Sequence, residues 1–158
     1  MKIKLFYIAL FLILGFTSHA QNCKNYHVEN CRWGDRSYFY SRQSRSALFA
    51  PGTTSKFNIV VYKGEEYYIS IEGHRKLGDL RLRLLEDDEG ETVLYDNADF
   101  KYENYFYFKN ATTKKLIVEV SAPEAEDPDE KEARYCVGVL LLFRSEDLGD
   151  SPTKEIGF

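Results

Sequence analysis

Leucine and arginine alternate with period two in Asp79-Leu80-Arg81-Leu82-Arg83-Leu84, which predicts a β-strand with leucines turned to a core and arginines to water. Lys115 to Val120 repeats the alternation, with Leu116, Val118 and Val120 on one face and Lys115, Ile117 and Glu119 on the other. The aromatic or β-branched runs Glu91 to Tyr95 and Glu103 to Phe108 predict two more strands. Ser55 to Tyr62 and Glu66 to Ile71 predict another pair, joined by Lys63-Gly64-Glu65, a loop of hairpin length with glycine where a positive φ is needed. Tyr135 to Phe143 is apolar on both faces and predicts a central strand covered on each side. No stretch beyond residue 20 keeps a 3.6-residue amphipathic pattern for three turns, and Gly, Asn and Asp punctuate the chain at the intervals of a sandwich. The expected fold is all-β, an antiparallel, jelly-roll-like β-sandwich of seven to nine strands.

The amino terminus breaks this pattern. Lys2 and Lys4 precede the apolar run Leu5 to Leu14, and small residues Ser18 and Ala20 stand before Gln21. The run is shorter than the ~20 residues a membrane span requires, so residues 1–20 read as a secretory signal peptide cleaved after Ala20. That predicts a periplasmic or secreted protein with no membrane insertion after cleavage. Residues 21–54 then form an amino-terminal cover segment holding Cys23 and Cys31, residues 55–146 the sandwich core, and residues 147–158 a flexible tail. The chain has 21 Lys+Arg against 25 Asp+Glu and a net charge of −4. Loss of Lys2 and Lys4 makes it 19 − 25 = −6 over 158 − 20 = 138 residues. No basic excess of the kind that drives nucleic-acid binding is present. A chain of this length buries about two-thirds of its unfolded surface, enough for a core without metal or dense crosslinks.

All three cysteines, Cys23, Cys31 and Cys136, fall in the exported part, where one bridge and one thiol are expected. Cys23 with Cys31 is the favoured pair, because a short loop near a terminus closes easily. Cys31 with Cys136 would instead fasten the first segment to the last strand, and Cys23 with Cys136 completes the set. Cys23, His27 and Cys31 lack a fourth ligand for zinc. No metal or cofactor is expected.

The run Tyr68-Ile69-Ser70-Ile71, Leu80 to Leu84, Val93-Leu94-Tyr95-Asp96, Tyr105 to Phe108, Leu116 to Val120 and Val137-Gly138-Val139-Leu140 resembles the bacterial pre-peptidase C-terminal domain over about residues 55–143. The resemblance implies an antiparallel jelly-roll-like sandwich of the kind found beside secreted bacterial enzymes. The Gly-x-Tyr usual before that family's penultimate strand stands here as Lys114-Lys115-Leu116.

Catalysis has few candidate residues. Only His27 and His74 lie beyond the signal segment, and there is no Gly-x-Ser-x-Gly elbow, His-Glu-x-x-His helix or phosphate-binding glycine loop. The chain is therefore read as not an enzyme. The acidic run Glu124 to Glu132 reads as a solvated loop and Glu86 to Gly90 as a hairpin tip. The most unusual stretch is Cys31 to Arg45, which gathers Arg32, Trp33, Arg36, Tyr38, Tyr40, Arg42 and Arg45 in an otherwise acidic protein. Planar rings and guanidinium groups suit recognition by stacking and paired hydrogen bonds. These seven residues are the candidate binding surface, for a glycan or an envelope protein. A competing reading makes them a strand and cover loop, with arginine stems over aromatic surface and heads paired to acidic loops. Tyr105 and Tyr107, alternating out of the core, are a second candidate ring row. The expected function is an exported, non-catalytic β-sandwich domain that binds a glycan or envelope protein. The alternative is a periplasmic structural, assembly or inhibitor-like protein-interaction domain.

Overall fold

The computed structural model describes residues 23–145; the expected signal peptide and the segment 147–158 lie outside them. Among the described residues nine strands form two antiparallel sheets: β1 (Phe39–Tyr40), β2 (Arg45–Phe49), β3 (Thr54–Val61), β4 (Glu65–Gly73), β5 (Arg81–Glu86), β6 (Val93–Asp96), β7 (Tyr105–Lys109), β8 (Lys114–Ser121) and β9 (Tyr135–Ser145). One sheet runs β1-β9-β4-β7, with β2 also paired to β9; the other runs β3-β8-β5-β6. The chain is the expected all-β sandwich.

Period-two patterning sets which side chains meet between the sheets. Leu82 and Leu84 on β5, Leu116, Val118 and Val120 on β8, and Ile69 and Ile71 on β4 all join one apolar core. The face of the second sheet turned away from that core carries ion pairs beside Ile117. There Arg83 and Lys56 both pair with Glu119, and Arg81 forks onto Asp96 at 2.5 to 3.1 Å.

The other sheet is apolar on both sides, as the β9 sequence requires. Val139 and Leu141 enter the main core, whereas Leu140 and Leu142 enter a smaller cluster with Cys31, Tyr38 and Tyr68 on the outer face. That face is covered by the amino-terminal segment, led by a one-turn helix, α1 (Tyr26–Asn30). Gly138 makes the close approach possible, because a Cβ there would stand 2.6 Å from the His27 Cα. The strand-only reading missed this helix because five residues cannot show a helical period.

Three further expectations are corrected. Lys63-Gly64-Glu65 does not close a hairpin: β3 pairs with β8 and β4 with β9 and β7, so the chain crosses here from one sheet to the other. The expected strand from Glu91 begins only at Val93, because Glu91 takes a positive φ of 45° that ends the extended run. The disulfide joins Cys23 to Cys136, with Cα atoms 5.4 Å apart, and leaves Cys31 free. Neither Cys23–Cys31 nor Cys31–Cys136 forms. Cys31 lies inside the outer cluster with its thiol donating to the Gly138 carbonyl at 3.3 Å. Because closure entropy grows only logarithmically with loop length, a separation of 113 residues is no bar once α1 lies on β9.

Candidate functional site

The outer face of the first sheet gains its cover through a buried charge cluster. Arg144 and Glu66 are each 4% exposed and pair at 3.1 Å, Arg144 reaching both carboxylate oxygens. Tyr38 donates its hydroxyl to Glu66 and lies under the Arg144 guanidinium, 4.7 Å from its ring centroid. Burial and the Glu66 hydrogen bond push the Tyr38 phenol far above its ordinary range, so it acts as a fixed donor. Arg144 also donates to Ser37 Oγ at 2.9 Å. Further along, the Arg32 carbonyl accepts from Tyr68 and Ser70 at 2.8 and 2.7 Å. These bonds fasten residues 31–38 to the sheet at both ends.

The seven candidate binding residues consequently divide. Trp33 and Tyr40 come together, 46% and 41% exposed, with ring centroids 6.3 Å apart. Trp33 donates its indole N–H to the Val28 carbonyl at 3.0 Å. Tyr40 stacks on His27 at 6.1 Å, with its hydroxyl 3.0 Å from His27 Nε2. His27 Nδ1 is 2.6 Å from Ser46 Oγ, and burial lowers the imidazole's pKa and favours its neutral form. Val28, whose carbonyl Trp33 holds, is itself 39% exposed, so three exposed apolar residues belong to this neighbourhood.

Tyr38 is buried and belongs to the charge cluster instead. Arg32 lies 4.1 Å over the ring of Tyr105, so that half-buried ring row is partly roofed, and Tyr107 packs on Tyr38 and Tyr68. Arg45 is elsewhere, over Phe57 at 5.2 Å beside a lateral groove. Arg36 and Arg42 are exposed. None of the four arginines makes an ion pair with an acid among the described residues. The heads of Arg32 and Arg45 lie over aromatic rings, and among the described residues none of the four pairs with the acidic loops.

Sequence reasoning missed Glu66 and Arg144, which lie 78 residues apart; their signal is a charge in phase with the buried Tyr68 and Leu142 of two largely apolar strands. A second concavity of about 510 Å³ lies beside Glu72, Arg75, Asp79, Tyr102 and Asn104. Among the described residues no three His, Cys, Asp or Glu side chains are grouped to hold a metal ion, and no helix is long and apolar enough to cross a membrane.

No family model matches the chain, and no curated protein does. Among solved structures, it is similar to PliG of Aeromonas hydrophila, a periplasmic lysozyme inhibitor of g-type lysozyme, at 10% identity and TM-score 0.44, over 72% of this chain and 91% of that one. It is also similar to Salmonella Typhimurium PliG, described in the same words, at 16% identity and TM-score 0.38, over 62% of this chain and 88% of that one. Likeness this distant leaves function to be argued from the chain's own surface.

Proposed function

We propose that the chain is an exported, non-catalytic domain that binds an envelope protein through the patch of Trp33, Tyr40 and Val28. The observation that supports this reading is the arrangement of the rings. Both are well exposed, yet each is held by a hydrogen bond to α1, so little side-chain freedom remains to be lost on binding. Exposed Trp and Tyr at a rigid site are the residues that dominate protein interfaces. Tyr40 already makes ring contacts with His27 and Trp33, at 6.1 and 6.3 Å between centroids. Ring surface committed to those contacts is less open to a sugar, whereas a protein can use the whole apolar edge. Export agrees with the Cys23–Cys136 disulfide, a bond characteristic of oxidising compartments.

The test is photocrosslinking in the intact envelope from a benzophenone amino acid placed at Asp35, an exposed position beside Trp33. A discrete protein adduct, absent when the probe is placed at Glu89, is expected. Purified g-type lysozyme, the enzyme named for the two PliG structures, is a concrete first probe in vitro. Polysaccharide adducts from position 35, or the same adducts from both positions, would overturn the reading.

A further inference from the structure

The two sheets part along one side of the sandwich, where β2 ends one sheet and β3 ends the other. The resulting slot has a volume of about 230 Å³. Its floor is apolar: Phe49, Phe57, Val120, Val137 and Val139 reach it from four strands. Hydrogen bonds hold the chain at two places that flank the lining residues. At one, the turn between β2 and β3 is tied by Thr53 N–H donating to the Ala50 carbonyl at 3.1 Å. At the other, the Gln43 side-chain amide acts as a surrogate strand: it donates to the Val60 carbonyl at 3.0 Å and accepts from the Val60 N–H at 2.7 Å.

The Gln43 bond fixes the phase of the β3 edge. Val60 turns both backbone groups away from β8, and by the two-residue repeat of an antiparallel ladder so do Asn58 and Lys56. Those two positions lie between the two flanking hydrogen-bonded places, on an edge that pairs with no further strand among the described residues. Unpaired strand edges accept extended peptides, with affinity from the main chain and selectivity from pockets for alternate side chains. Charge narrows the choice. Lys56 is already held by Glu91 and Glu119. Arg45, at the mouth, lies over the face of Phe57 and pairs with no acid among the described residues.

We propose that this slot docks an extended peptide segment of a partner protein, adding as a strand to the β3 edge at Lys56 and Asn58, with an apolar side chain on the Phe57–Val139 floor and a carboxylate two residues away paired to Arg45. The i and i+2 side chains of a strand face the same way, so one face of the peptide supplies both groups. This surface is separate from the Trp33 patch and does not depend on it.

The experiment selects displayed random hexapeptides on the folded protein and measures the enriched sequences as synthetic peptides. Sequences with an apolar residue two positions from an acid should enrich. Arg45→Glu, and Ala47→Trp, which fills the slot from an exposed position, should each weaken binding at least tenfold, whereas Trp33→Ala leaves it unchanged. Backbone N-methylation of the peptide should abolish binding in one phase of the alternation and not in the other. In the unaltered protein, bound peptide should shift the methyl resonances of Val137 and Val139, a readout independent of whether either variant folds. No enrichment, or binders indifferent to Arg45→Glu and to N-methylation in both phases, would overturn the proposal. So would methyl shifts produced by dodecanoate and by no selected peptide, which would assign the slot to a fatty anion.

Discussion

Replacing Arg144 by Met should destabilise the domain more than any single surface change. Arg144 and Glu66 are both 4% exposed, so the substitution leaves a carboxylate out of water with only the Tyr38 hydroxyl for a partner. Breaking a buried pair from one side costs about 3–5 kcal/mol, because the remaining charge is uncompensated. With an unfolding entropy of ~2.1 cal/mol/K per residue over the roughly 120 residues described, that corresponds to a fall in Tm of about 12–20 °C. Glu66→Leu combined with Arg144→Met removes both charges and should recover most of the loss. Thermal melts by circular dichroism of the two variants and the parent measure both numbers. The same variant should also speed tryptic cleavage at Arg32 and Arg36, since Tyr38 and Ser37 lose the guanidinium that holds their segment. A single variant within 1 kcal/mol of the parent, or a double variant worse than the single, would refute the account of how the outer face is covered.

Non-reducing peptide mapping should recover Cys23 linked to Cys136, with Cys31 resisting iodoacetamide until the chain unfolds, because burial pushes its thiol up to about 12. The pKa of His27 is lowered by burial, so the unfolded chain binds the proton first and stability falls as pH drops below the unfolded value near 6.5; His27→Gln should flatten that part of a Tm-against-pH profile. Leu82→Ala, at a side chain 1% exposed in the main core, should cost about 2–4 kcal/mol by urea titration, and a neutral result would place it outside the core.

The sandwich was legible wherever a strand has one wet face. Leu82 and Leu84 alternate with Arg81 and Arg83, Val118 sits between Ile117 and Glu119, and the structure puts Leu82, Leu84 and Val118 inside. β9, with no wet face, announced a central strand, but what covers it was not readable. The cover is α1 and the irregular segment after it, which pack through the missing side chain of Gly138 and through carbonyls such as that of Arg32, features without periodicity. The connection after β3 was misread because its glycine does take a positive φ, of 79°, in a turn that changes sheets. Turn chemistry reports local backbone shape and not which strands pair afterwards. Composition marked residues 32–45 as unusual, but only tertiary structure separates Tyr38, buried on Glu66, from Trp33 and Tyr40, which lie on either side of it in sequence and are exposed.

The central claim is that Trp33 is displayed for a partner and not retained for stability, and Trp33→Ala tests it when Tm and affinity are measured on the same preparation. The side chain makes one hydrogen bond to Val28 and one stack on Tyr40 while remaining half exposed. The account predicts a Tm within a few degrees of the parent and a loss of roughly 2 kcal/mol or more in affinity for the crosslinked partner. A large fall in Tm with unchanged affinity per folded molecule would contradict it.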